Sequence, residues 1–285
     1  MMTRSSLVVP LLAMTAACGP GPVSGVVATI DSRGDTVVVT VRGDVPDAQL
    51  WQLVEELRIA PSEVDTALFS NVSEFVVDAR GRMWVFDTPT STVFLFGPEG
   101  KLLRRIGRKG GGPGEFQRNN GMVALDTGLA ILDYQNARIS FLSDSGALRA
   151  TWTVTSGFFT NAGLIGDRSG ALWLRRPVTE PREGEILGRM GLVKVSGSGK
   201  LSDSIAPPDL PVPREVYLAV SKDGSGRSTS TSTFSPNYHW AWHPAGHFVV
   251  GHGGRYEILQ DGTGRKPMKV RRDLSPVPIE YAEQA

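Results

Sequence analysis

The run from Phe75 to Phe116, FVVDARGRMWVFDTPTSTVFLFGPEGKLLRRIGRKGGGPGEF, reads as four strands separated by turns. Phe75 to Val77 is a short apolar run, and Asp78-Ala79-Arg80-Gly81 has the Asp-first, Gly-last chemistry of a type I turn. Met83 to Asp87 is the second strand and Thr88 to Ser91 a loop. Val93 to Phe96 is the third strand, Gly97-Pro98-Glu99-Gly100 closes it, and Leu102 to Ile106 is the fourth. The cycle returns from Met122, where Asp126-Thr127-Gly128 replaces the first turn, Asp133 falls where Asp87 did, and Asp144-Ser145-Gly146 stands for Pro98-Glu99-Gly100. A third copy carries Asp167-Arg168-Ser169-Gly170 before Leu172-Trp173-Leu174. A fourth runs from His239 through Pro244-Ala245-Gly246 to Leu259. A period of roughly 46 residues with four strands per unit belongs to repeat architectures.

Such units are the sequence form of a β-propeller blade, so the chain is expected to be all-β. The Asp-x-x-Gly turns, the aromatic strand ending in Glu99-Gly100-Lys101 and the joint IGRKGGGPGEF (Ile106 to Phe116) resemble six-bladed propellers of the NHL-repeat superfamily. They are most similar to bacterial propeller lipoproteins of unassigned role. The resemblance spans about residues 50 to 285 and is strongest from 75 to 155. It implies a six-bladed-type propeller with four-stranded blades. It also implies that SPVPIEYAEQA (Ser275 to Ala285) stands where two further blades begin in such proteins. Four blades are countable from Phe75, and residues 25 to 59 can supply strands for about one more. The expectation is therefore a propeller domain over 25–285 with about four to five blades, lacking the last one or two, as an incomplete or open ring.

Residues 1–17 have the pattern of a signal peptide, with Arg4 ahead of an apolar stretch from Leu7 to Ala17 that is too short to span a bilayer. Thr15-Ala16-Ala17-Cys18 resembles a bacterial lipobox with Thr15 where Leu is usual. It implies export to the cell envelope or periplasm and lipidation of Cys18, with residues 18–24 as lipidated Cys and flexible tether. Cys18 is the only cysteine, so no intrachain disulfide can form. Gly25 to Ile30 and Thr36 to Val41 read as a hairpin, Trp51 to Ile59 as a strand, and Val178 to Arg189 as an extended loop. The stretch APPDLPVP (Ala206 to Pro213) cannot ladder in a central strand, and residues 221 to 233 read as an exposed low-complexity loop.

The near-zero net charge of +1 leaves no nucleic-acid footprint. Gly110, Gly112, Pro113, Gly114, Glu115 and Phe116 sit beside Arg104, Arg105, Arg108 and Lys109, an arrangement that invites anion binding. A phosphate loop needs Lys-Ser/Thr opening a helix, so the residues are assigned to a joint between blades. Asp78, Asp87, Asp133 and Asp167 recur at repeat positions, which argues for turn capping rather than acid–base chemistry. Asp78, Gly81, Gly100, Gly128, Gly146, Gly170 and Gly246 are the structural turn residues. All four histidines, His239, His243, His247 and His252, fall in one stretch whose spacing would bring at least two together across a hairpin, while alternation along a strand is expected to split them between faces. They are weak metal candidates, and no cofactor is expected. No serine–histidine–acid order or elbow motif is present. The expectation is a membrane-anchored binding or scaffold module for a protein, peptide or glycan. The alternative is a metal-dependent lactonase- or lyase-like enzyme with a divalent ion in the central channel, as the wider superfamily implies.

Overall fold

The computed structural model describes residues 26–43, 50–59, 70–154, 163–181, 188–210, 216–231, 236–261 and 265–274. The signal segment 1–17, Cys18, the tether 18–24 and the end from 275 lie outside them. The chain forms two compact units, residues 1–53 with 207–285, and residues 54–206. It is an all-β propeller of the six-bladed type, built from four-stranded antiparallel sheets. No sheet among the described residues closes on itself.

The chain opens on a hairpin, β1 (Val27–Arg33) and β2 (Thr36–Arg42). The unit 54–206 then holds three blades. The first is β3 (Val72–Val77), β4 (Met83–Asp87), β5 (Thr92–Phe96) and β6 (Leu102–Ile106). The second is β7 (Asn119–Leu125), β8 (Gly128–Asp133), β9 (Arg138–Ser143) and β10 (Leu148–Thr153). The third is β11 (Leu164–Gly166), β12 (Leu172–Pro177), β13 (Met190–Ser196) and β14 (Lys200–Ile205). In each sheet the strands lie in chain order, and β7 touches both β3 and β11, so the first strands of the blades run side by side.

The blades are held by the faces they turn to each other. Trp84, Phe86, Leu95 and Ile106 of the first blade pack with Phe116, Met122, Leu129 and Ile131. Ala130, Leu132 and Ile139 pack instead with Leu164, Leu172 and Leu174 of the third. Strand β8 is buried at every residue. A strand covered on both faces needs no polar alternation, and GLAILD accordingly has none before its closing Asp133.

The repeated turns explain the repeated residues. Asp78 Oδ1 accepts from the Arg80 and Arg82 amides at 2.9 and 3.0 Å, and Oδ2 accepts from Trp84 Nε1 at 3.1 Å. Asp167 repeats this with Ser169, Ala171 and Trp173 Nε1. Gly81, Gly100, Gly146, Gly170 and Gly246 have φ between 72° and 85°, the left-handed region that glycine enters without a Cβ penalty. Gly128 differs, because it opens β8 and a Cβ there would collide with the Leu142 carbonyl oxygen. At Gly146 a Cβ would fall 2.5 Å from the Ile106 Cδ1 atom. Gly146→Val therefore combines backbone strain with overpacking and is expected to cost about 2 kcal/mol. Urea unfolding of the full chain measures it, and a loss under half that value would contradict the turn assignment.

Residues 50–59 form no strand, contrary to expectation. Ile59 packs instead on Val85, Phe94 and Phe96, while Arg58 pairs with Glu55 at 2.6 Å. Only Ile59 of this segment docks onto the sheet face, while Trp51, Leu53 and Val54 are exposed. Residues 221–233 are not wholly loop either. In the unit 1–53 with 207–285, β15 (Val216–Val220) pairs antiparallel with β16 (Arg227–Thr231). Alternating Ser and Thr suits a two-stranded ribbon, because Thr is β-branched and a solvated sheet needs no apolar core.

The same unit carries a further blade, β17 (Tyr238–His243), β18 (His247–His252), β19 (Glu257–Gln260) and β20 (Met268–Arg272). Strand β2 pairs in parallel with β20, from Val37 opposite Met268 to Val41 opposite Arg272, which makes a six-stranded sheet ending on β1. The opening hairpin thus covers the outer edge of this blade, the edge protection a propeller array requires.

Candidate functional site

The glycine-rich joint is closed by its own groups. The Gly112 amide donates to Glu115 Oε2 at 2.8 Å, and Arg108 pairs with Glu115 at 2.8 Å. Arg138 donates to the carbonyls of Gly111, Gly112 and Glu115, and Asn136 Nδ2 to that of Gly110. An incoming anion would have to displace the Glu115 carboxylate. The side chain of Phe116 is fully buried between blades.

The recurring carboxylates are likewise engaged. Asp87 Oδ1 accepts from the Ser70 and Asn71 amides at 2.9 Å each, and Oδ2 from Thr90 Oγ1 at 2.6 Å. Asp133 does the same with Gln117, Arg118 and Asn136. They fix the loops between strands and leave no acid–base pair.

Polar groups of different blades do meet on the first strands. Glu74 of β3 accepts from Asn119 Nδ2 of β7 at 2.8 Å and from the Met122 amide at 2.9 Å. Burial raises the Glu74 pKa above the usual carboxylate value, against the opposing pull of the Met122 and Asn119 hydrogen bonds. The neighbouring Asn120 carbonyl accepts from the Gly163 amide at 2.9 Å, while its buried side-chain nitrogen has no partner among the described residues. These residues escaped the sequence reading, although a signal exists: aligned on the turns, the places of Glu74 in the second and third blades hold Gly121 and Gly163. Glu74 supplies one carboxylate whose two oxygens are both occupied. Among the described residues no group of three or more His, Cys, Asp or Glu could hold a metal.

Two of the histidines meet across a hairpin, and the split between faces is three to one. His239 and His243 lie on one face of β17, and His243 stands directly opposite His247 with ring centroids 4.3 Å apart. His239 and His243 share a face because they differ by an even number of positions, and only His252, opposite Tyr238, turns to the other. His243 Nδ1 accepts from the Ala245 amide at 3.1 Å, and His247 Nε2 lies 2.9 Å from Gln260 Nε2. Burial, followed by the charge of His243, lowers the His247 pKa. His252 is separate and caps a loop, its Nδ1 accepting from the Gly254 amide at 3.0 Å.

The register shows what these residues replace. His243 closes its turn through the Gly246 amide as Asp78 does through that of Gly81, so His239 takes the place of Glu74 and His252 that of Asp87. Gly251, just before His252, then takes the place of Phe86 and Leu132, both 0% exposed, and of the half-buried Arg175 in the third blade. A cavity of about 400 Å³ lies here. His239, Gly251, Ile258 and Val270 stand side by side across β17, β18, β19 and β20. Tyr256, Arg272 and Val41 line the cavity beside that row, and Arg255 stands in the turn between β18 and β19. Ile258 is 50% and Tyr256 64% exposed.

The sequence profile of the DUF5128 family, described as a 6-bladed beta-propeller, matches residues 62–153, which is less than half of the chain. No curated protein sequence matches the chain significantly. Among solved structures, a Bacteroides fragilis protein inferred to be exported is similar at 14% identity and a TM-score of 0.45, covering 78% of this chain. The chain spans 56% of that protein's length. A catalytically inactive variant of virginiamycin B lyase from Staphylococcus aureus with quinupristin is similar at 11% identity and a TM-score of 0.41, over 75% of this chain and 73% of the other. A Bacteroides vulgatus member of the DUF4221 family is similar at 12% identity and a TM-score of 0.40, over 74% and 60%.

Proposed function

We propose that the chain is an exported, lipid-anchored β-propeller of the NHL-like kind that binds a ligand at the cell envelope without transforming it. The observation that carries the binding reading is the open groove over Gly251, which stands where the first two blades place Phe86 and Leu132 and the third Arg175. A preformed concave site with an apolar floor and a few polar groups is the usual form of a binding pocket. The ligand belongs to an envelope protein, peptide or glycan.

The anchor is the lipid that Cys18 would carry. Metabolic labelling with a fatty acid is expected to mark the wild type and not Cys18→Ser, and the variant should leave the membrane fraction. Label retained in the variant would refute the anchor. The rival, a metal-dependent propeller enzyme, draws on the meeting of Glu74 and Asn119 on adjacent first strands. It would require stoichiometric divalent metal that Glu74→Gln removes.

A further inference from the structure

We infer that the outer strand of the first blade, β6 with the turn that follows it to Lys109, seats on an anionic bilayer surface. The inference adds a second membrane contact to the anchored reading above and is independent of the groove over Gly251. The charges are the first part of the argument. Strand β6 is the last of its sheet, and its far edge has no ladder partner among the described residues. Lys101, Arg104, Arg105, Arg108 and Lys109 are all exposed and fall in one short run, on a chain whose formal net charge is only +1. The nearby acids do not cancel them. Asp144 is held by Arg80 and Arg82, Glu115 pairs with Arg108, and the Glu99 carboxylate lies against Gly97. Arg104 has no hydrogen bond or ion pair among the described residues. Charges on an outer strand block edge pairing, but that purpose does not call for such a run. The outer strand β10 carries Arg149 only, β14 balances Lys200 with Asp203, and neither is followed by a basic run.

The shape of the strand suits the same partner. Leu102 stands opposite Phe96 and Arg104 opposite Leu95, so Leu103 is an extra residue outside the ladder, and it is 47% exposed. Bulges re-aim a side chain, and an exposed leucine among cations is what an interfacial contact uses. The corresponding bulge of the second blade holds Arg149, so the blade itself does not require an apolar residue there. Arg104 and Ile106 share the face turned to the second blade, while Arg105 takes the other, 5.6 Å from the centre of the Phe94 ring. Cations therefore flank the strand on both faces, on stems long enough to reach the level of the phosphates. Beside Arg104 lies a cavity of about 420 Å³, lined also by Gly107, Ser145 and Gly146. A Cβ on Gly146 would fall 3.8 Å from Arg104 Cδ, so the arginine stem runs along this turn. The cavity has room for a headgroup phosphate, which a guanidinium binds through paired N–H donors.

The test uses the full chain carrying Cys18→Ser, so that no lipid holds it to a membrane. It is sedimented with vesicles of phosphatidylcholine alone, or of phosphatidylcholine with about 30% phosphatidylglycerol. The anionic vesicles are expected to bind about a hundredfold more tightly, and the difference should vanish in about 0.5 M salt. Arg104→Gln, Arg105→Gln and Lys109→Gln together are expected to weaken binding to the anionic vesicles by about thirtyfold or more. Leu103→Ser is expected to weaken it about fivefold, and Arg149→Gln, on the second blade, by about twofold at most. All these groups except Leu103 are charged and exposed, so the triple variant should keep the wild-type melting temperature. Equal binding to both vesicles, a triple variant that binds as the parent does, or an equal loss in Arg149→Gln overturns the surface. Inorganic phosphate that competes better than chloride at the same ionic strength assigns the Arg104 cavity to a free anion and overturns it too. The anchor is judged separately, since fatty-acid labelling at Cys18 can fail with this surface intact and the surface can fail in a labelled chain.

Discussion

Phe116→Ala should lower the unfolding free energy of the unit 54–206 by about 4 kcal/mol, the scale of a buried aromatic truncated to alanine where the surroundings cannot close the gap. The ring is fully buried, meets Phe86 edge-on with centroids 6.2 Å apart, and belongs to the cluster shared by the first two blades. Collapse into the cavity is blocked on one side by backbone. A Cβ on Gly107 would collide with the Phe116 ring, so main chain already lies against it. The Phe116 amide also donates to the Arg108 carbonyl and its carbonyl accepts from the Gly110 amide, which pins the residue in place. Urea unfolding of the full chain gives the size of the loss. Hydrogen exchange should show lost protection in β4, β5 and β8, the strands that contribute two residues each to this cluster. A loss below about 1.5 kcal/mol would mean that the joint is not what locks these blades.

The parts of this fold that were legible in the sequence are those whose chemistry is local. An Asp-x-x-Gly turn is specified by its own residues, so Asp78 and Asp167 announced their turns before any neighbour was known. The indole that bonds each carboxylate, Trp84 or Trp173, lies six residues on and is legible only once the turn is seen closed. Long-range pairing was opaque. Nothing in Thr36 to Arg42 states that it will run parallel to Met268 to Arg272, because a β-branched strand suits either edge of many sheets. Composition misled at Arg227 to Thr231, where Ser and Thr read as a loop but ladder as a ribbon. The polar meeting of Glu74 and Asn119 was missed because a single Glu in a strand acquires meaning only when the next blade's first strand is placed beside it. Gly251 was readable in principle, by aligning it with Phe86 and Leu132. That alignment depends on treating His252 as a substitute for Asp, which the capping bond to the Gly254 amide justifies.

Asp87→Ala should cost about 3 kcal/mol, because the fully buried carboxylate is the shared acceptor for several donors of its loop. The Ser70 and Asn71 amides both point at Oδ1, and the Thr90 hydroxyl and amide both point at Oδ2. Removing the side chain strands three amides and a hydroxyl in a partly buried loop, and each unsatisfied group costs about 1 kcal/mol or more. The same geometry sets a pH dependence. Burial on its own would raise the Asp87 pKa, but the hydrogen bonds from Asn71, Thr90 and Ser70 outweigh it and hold the folded value below the ordinary carboxylate range. Between the folded and unfolded values the unfolded chain binds more protons, so stability rises with pH there. The contribution is complete above about pH 4, the unfolded carboxylate value, and is lost as pH falls through the folded pKa. Asp78 and Asp167 are lowered as well, in each case by hydrogen bonds that overcome burial, and act in the same window. Acid titration of stability, followed by urea midpoints between about pH 2 and pH 6, should therefore show a steep acid limb in the wild type and a shallower one in Asp87→Ala. If the two limbs are parallel, Asp87 does not hold its loop as a charged cap, and the repeated Asp of the blades needs another explanation.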